Sequence, residues 1–158
     1  MTTLIAFAES LQHTALGLAL REASPAAVLG IQIAHVLGLI LLLTSLLIVN
    51  LRLLGWGLVS LPLAQVVHAT RWALRIGLVF AIGSGALLFF SAPVHYIANA
   101  AFVPKMSLLL FALVVQASLY RKVTHTERST PLLARGTAVL SLTLWFSVGL
   151  AGRAIGFV

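Results

Sequence analysis

The chain has no cysteine, which excludes disulfides, thiolate metal sites, iron–sulfur clusters and CxxC redox chemistry. Acidic residues number only three (Glu9, Glu22 and Glu127), and charged residues make up 8% of the 158 positions. A soluble chain carries roughly 25% charged residues, so this composition cannot build a water-facing surface, and a soluble globular enzyme is excluded. All three glutamates fall outside the long apolar runs. A proton- or sodium-coupled transporter, which usually carries a carboxylate within the membrane, is therefore disfavoured. So are magnesium, calcium and di-iron carboxylate sites. With two methionines and no cysteine, soft ligands for copper are also scarce.

What the chain does have is apolar length. Hydrophobic residues make up 61% of it, and mean hydropathy is +1.11. A helix needs about 20 apolar residues to cross the hydrocarbon, and four segments qualify. The first runs over about 25–50, with Ser24 as N-cap and Pro25 at the first helical position. The second covers about 76–94, begun earlier by an interfacial turn carrying Arg71 and Arg75. The third covers 102–120. The fourth opens at Ser129-Thr130-Pro131 and runs over about 131–156. Residues 3–20 place Leu4, Phe7, Leu11, Ala15 and Leu18 at helical spacing without a basic leader, and so read as an amphipathic surface helix rather than a cleaved signal. The expected fold is all-α: a single domain over 1–158, an integral membrane four-helix bundle with an N-terminal amphipathic helix on its surface.

The net charge of +7 does not mark a nucleic-acid binder, because the ten basic residues punctuate apolar runs instead of forming a solvated patch. Arg52, Arg71, Arg75, Arg121, Lys122, Arg128 and Arg135 fall on one side; Arg21, Lys105 and Arg153 fall on the other. Seven against three places the first group in the cytoplasm and both termini on the periplasmic side of a bacterial inner membrane. Trp56, Trp72 and Tyr120 at the inner interface and Tyr96 at the outer one fit an aromatic belt.

His35 is the outlier, an ionisable side chain roughly 15 Å into the first span. Such a group should face the bundle interior with a partner. One reading is a neutral imidazole hydrogen-bonded to a neighbouring helix, through Gln116, Ser141, Thr143 or Ser147. The other is an axial ligand to a heme iron, with Lys105 or His95 as a second ligand. His35 and His95 differ by roughly 10 Å of nominal rise, so the two imidazoles do not pair easily. Lys105 and Arg153 share the outer half with His35. Each could snorkel to the surface, or together they could clamp carboxylates such as heme propionates. Ser84, between Gly83 and Gly85, allows a helix or a flat macrocycle to approach closely. His68, Arg71 and Arg75 share one helical face suited to anionic lipid headgroups.

Almost the whole chain resembles a family of small bacterial inner-membrane proteins of unknown function. The matching stretches are Ile33 to Gly38, Asn50 to Gly55, Ser84 to Phe89, Phe102 to Lys105 and Ala151 to Arg153; Asn50 stands where aspartate is usual. More distantly, the order of marks is similar to that in membrane-bound protoporphyrinogen oxidase and in the copper-resistance D proteins. Carried over by position, the marks are His35, Arg52, Ser84-Gly85 and Lys105, and the resemblance implies that His35 and Lys105 flank a b-type heme. The tryptophan that usually follows the histidine in those two families is missing from Leu39 to Leu43.

These residues lead to three expectations. The first is a membrane protein that binds heme b and passes electrons between a quinone or periplasmic donor and a partner. The second is a non-catalytic accessory or scaffold subunit, docked in the bilayer within a larger membrane complex or homo-oligomer. The third is passage of copper or another small molecule.

Overall fold

The computed structural model describes residues 2–125 and 130–157. Glu127, Arg128, Ser129 and the side chain of Tyr120 therefore lie outside the described residues. Among the described residues there is no strand. Four helices are long and apolar enough to cross a membrane: α3 (Pro25–Leu54), α4 (Leu63–Ser91), the continuous stretch Phe102–Val123, and α8 (Pro131–Ala154). The third combines α6 (Phe102–Val115), a π-helical turn (Gln116–Tyr120) and the start of α7 (Arg121–His125). Their large apolar side chains are widely exposed, among them Leu37, Val79, Leu110 and Phe146, as expected of surfaces that face lipid.

Two spans begin as their capping residues dictate. Ser24 Oγ accepts the Ala27 N–H at 3.3 Å ahead of Pro25, and Thr130 Oγ1 accepts the Leu133 N–H at 3.3 Å ahead of Pro131. Each side chain satisfies a backbone donor that the first turn leaves free, while proline sits where no N–H is needed. The first span ends at Gly55, whose φ of 79° is the left-handed conformation favoured after a helix.

The second span starts well before 76. Arg71 and Arg75 lie inside continuous helix, with their guanidinium carbons 5.9 Å and 5.4 Å from the Trp72 ring centroid. Arginine is a good helix former, so the end of an apolar run does not end a helix. At its other end the span stops at Ser91, and Pro93 opens a short helix, α5 (Pro93–Ala98), which carries His95 and Tyr96. The N-terminal segment is two helices rather than one, α1 (Thr2–Gln12) and α2 (Ala15–Arg21). The break is at Thr14, whose extended backbone lets Oγ1 cap the Gly17 N–H.

α3 is central, packed between α4 and α8, and α8 packs in turn on α6. The core lies along this line and includes Leu42, Leu46 and Val49 of α3, Ala138, Leu144 and Trp145 of α8, and Ala112 and Val115 of α6. α4 and α6 meet near their ends. On the side of the chain termini, Phe89 stacks on Phe102 with centroids 5.5 Å apart, and at the basic end α4 touches α7. Along their lengths, among the described residues, they do not pack against each other.

The closest approach in the bundle is between α3 and α4. A Cβ on Gly38 would stand 2.7 Å from the Ala81 backbone nitrogen, and one on Gly77 would stand 2.5 Å from that of Leu42. Small residues that let backbones touch are the usual means of joining helices in lipid, where no hydrophobic force drives association. This seam fixes the rotation of both helices, and with it the direction in which His35 points.

Candidate functional site

One turn from Gly38 along the same face of α3, His35 meets the small-residue face of α4. That face continues from Gly77 and Ala81 to Ser84 and Gly85, the spacing of a single helical stripe. His35 Nδ1 lies 3.1 Å from Ser84 Oγ, and the Ala81 backbone is a second hydrogen-bonding neighbour of the ring. A Cβ on Gly85 would come within 3.1 Å of His35 Cε1, so glycine is what makes room for the imidazole.

The tautomer follows from the Ser84 hydroxyl. It donates its proton to the Phe80 carbonyl one turn back, which leaves its oxygen as an acceptor. The tautomer consistent with that acceptor carries its hydrogen on Nδ1. Histidines that ligate metals are usually held this way, with one ring nitrogen donating to the protein and the other turned to the metal. The His35 partner is thus Ser84 of α4. None of the described polar residues on α8 and on the π turn, which the sequence offers equally well, is hydrogen-bonded to it.

Lys105 stands beside this group. It lies in the first turn of α6, is half-buried, and is close enough to couple electrostatically to His35. Its side chain runs over Gly152 of α8, where a Cβ would be 3.5 Å from Lys105 Cε. Among the described residues no acidic side chain pairs with it. A cation at a helix N-terminus is adverse to the helix dipole, so the ammonium and the start of α6 together form a positive locus, beside the imidazole, suited to an anion.

The remaining sequence candidates do not converge here. Arg153 is exposed, with its guanidinium carbon 4.5 Å from the Phe157 ring centroid. His95 is exposed on α5, its ring 5.8 Å from that of Tyr96. Arg52 lies at the opposite, basic end, where its Nε donates to the Leu61 carbonyl at 2.8 Å and ties down the connection between α3 and α4. Gln32, one turn from His35, is exposed.

Tyr96, expected as a plain interfacial residue, is half-buried between Phe89 and Phe102. Burial raises its phenol above the ordinary tyrosine value. In the window between about pH 10 and that raised value, an unfolded chain ionises first. Stability attributable to Tyr96 is therefore complete below about pH 10 and declines as pH rises through the window. Alkaline titration of the tyrosinate absorbance is expected to show a late-titrating phenol that disappears in Tyr96→Phe; an ordinary titration of both tyrosines would contradict it.

Sequence reasoning missed a second polar group, at the basic half of the bundle. Asn50 is wholly buried, its Nδ2 donates to Ser141 Oγ at 3.2 Å, and its Oδ1 has no partner. Gln116 Oε1 and Thr137 Oγ1 are likewise buried without partners. The sequence placed this amide at the end of the first span; the helix runs on to Leu54, which puts Asn50 inside it, where an amide must be paired or face a cavity.

Neither the curated proteins nor the solved structures provide a match to this chain. Over residues 16–158, which take in α3 to α8 and the whole candidate site, the chain matches the Family of unknown function (DUF6644), and it belongs to that family.

Proposed function

We propose that the protein is a b-type heme-binding membrane protein that transfers electrons between a quinone or periplasmic donor and a partner, with His35 as the axial ligand. The observation that carries this reading is the His35 ring itself, an imidazole inside the first span whose Nδ1 is held at 3.1 Å from Ser84 Oγ, with the Lys105 ammonium within electrostatic reach. Among the described residues no three His, Cys, Asp or Glu side chains converge. A metal served by His35 would draw at most two ligands from that set, which suits a heme iron, whose macrocycle would supply most of its donors. The donor set fits. Ser84 sets the tautomer, Gly85 gives the imidazole room, and Lys105 supplies charge for a propionate. The group would supply one-electron redox chemistry at the iron. The protein's part is to fix the imidazole, balance the anionic edge and keep the surroundings dry. In this reading the basic end faces the cytoplasm of a bacterial inner membrane, and the site lies in the periplasmic half.

A reduced-minus-oxidised visible spectrum of protein purified in mild detergent from heme-replete cells tests the reading. A sharp b-type α-band is expected. A colourless protein would overturn the reading and return His35 to a purely structural hydrogen bond.

A second reading, an accessory subunit of a larger membrane complex, is favoured by a different feature. Ala27, Gly30, Ala34 and Gly83 line an open groove between α3 and α4 on their lipid face, and a Cβ on Gly30 or Gly83 would meet nothing within 4 Å. A stoichiometric partner in the same preparation, with no α-band, would favour it.

A further inference from the structure

We infer that the basic half of the bundle holds a binding site for a membrane-dissolved amphiphile with a hydroxyl headgroup, of the quinol class, seated on Asn50 and Ser141. Between α3 and α8 lies a cavity of about 120 Å³, lined by Leu43, Leu46 and Leu47 and by Leu142, Trp145 and Phe146, with Asn50 and Ser141 as buried polar residues. Asn50 is fully buried, and its Oδ1 is an acceptor with no donor. Ser141 accepts from Asn50 Nδ2, yet its own proton goes to no carbonyl, unlike the hydroxyls of Ser45, Ser107 and Ser118, each bonded one turn back. The polar end of the cavity thus offers one acceptor and one donor side by side, which a hydroxyl group satisfies together.

Two features select the rest of the ligand. Apart from Thr44, which is exposed, the walls beyond Asn50 and Ser141 are hydrocarbon, and Leu47 and Phe146 at the rim are 39% and 59% exposed, so the cavity opens sideways to lipid. Water at about 30 Å³ per molecule would fill it with about four molecules, each needing two to four polar partners, more than Asn50, Ser141 and Thr44 supply among apolar walls. An apolar body with one polar head matches the lining better, and cavities of about 150 Å³ are known to take up a benzene-sized molecule. The site stands on this cavity alone. Its assignment to the quinone partner rests on the electron-transfer reading above.

Trp145 lines the cavity and reports its filling, once Trp56 and Trp72, both exposed, are replaced by phenylalanine. In detergent micelles, a short-chain benzoquinol is expected to quench Trp145 saturably. Asn50→Leu is expected to weaken binding at least tenfold, because the pocket then lacks the acceptor the hydroxyl needs. It removes the unpartnered Oδ1 together with the Nδ2 bond to Ser141, so its unfolding temperature should stay close to that of the parent. Ser141→Ala should weaken binding less, and His35→Ala not at all, so heme loss and failure of this site are distinguishable. Competition by dodecanol would assign the site to hydroxyl headgroups at large; its absence would restrict the site to the aromatic diol. Non-saturable quenching, or equal affinity in Asn50→Leu, would overturn the site and leave a water-filled cavity.

Discussion

Replacing His35 with alanine is expected to strip the purified protein of heme while leaving it folded, whereas Gln32→Ala should retain a full complement. The two residues are one turn apart on the same helix, so they share depth and backbone. Their difference lies in the imidazole and its bond to Ser84. Removing the ring leaves no buried group stranded, because the Ser84 hydroxyl keeps its bond to the Phe80 carbonyl. An interhelical hydrogen bond within a membrane contributes only about 0.6–2 kcal/mol, so loss of the bond alone should move the unfolding midpoint little. Ser84→Ala provides a graded case. Without its acceptor the ring can turn or change tautomer, and removing such a supporting partner typically weakens metal affinity about 10–100-fold. The expected order of heme content is therefore Gln32→Ala equal to the parent, Ser84→Ala reduced, His35→Ala lowest, with similar unfolding curves for all. Equal heme in the His35 and Gln32 variants would refute the ligand assignment. Heme loss accompanied by unfolding would show that His35 holds the bundle together instead.

The sequence revealed the four spans because apolar length, proline and a capping hydroxyl are local signals; Ser24-Pro25 and Thr130-Pro131 begin their helices as those signals require. It misjudged the start of the second span because Arg71 and Arg75 interrupt hydropathy without interrupting backbone hydrogen bonding. It identified His35, unusual for its depth, and Lys105, a cation at the start of a span, but not the partner of His35. Which neighbour a side chain meets depends on helix rotation. Here rotation is set by Gly38 and Gly77, two glycines about forty residues apart in sequence whose contact no local pattern announces. The stripe Gly77, Ala81, Ser84, Gly85 would have shown which face of α4 is buried, had small residues been scored as interface and not merely as permissive. Arg52 marks the opposite limit of such reasoning. Its place in a motif suggested the cofactor, yet its guanidinium closes a turn at the far end of the bundle.

The same pair of glycines is the basis of the largest stability effect expected. Gly77→Ala places a methyl 2.5 Å from the Leu42 backbone nitrogen and 2.8 Å from the Gly38 carbonyl oxygen; Gly38→Ala places one 2.7 Å from the Ala81 nitrogen. These obstacles are backbone atoms that cannot swing aside, so the helices must separate. Overpacking of this kind costs about 1–3 kcal/mol per site. Alanine returns at most about 1 kcal/mol in helix propensity. The net effect is destabilising, and a leucine at either position should prevent the seam from closing. Separation would also carry Ser84 away from His35, since both lie on this seam. Gly77→Ala should therefore reduce heme retention as well as the unfolding midpoint, although residue 77 is about two helical turns from Ser84. The controls lie in the same chain. Gly83 and Gly149 are helical glycines whose Cβ would meet nothing within 4 Å. Alanine there gains propensity without a clash and should leave stability equal or higher, by up to about 1 kcal/mol. Denaturation in mixed micelles, followed by far-ultraviolet circular dichroism, measures all four variants under one condition. If Gly77→Ala and Gly83→Ala unfold together, α3 and α4 are not held by backbone contact, and the rotation that aims His35 at Ser84 must have another cause.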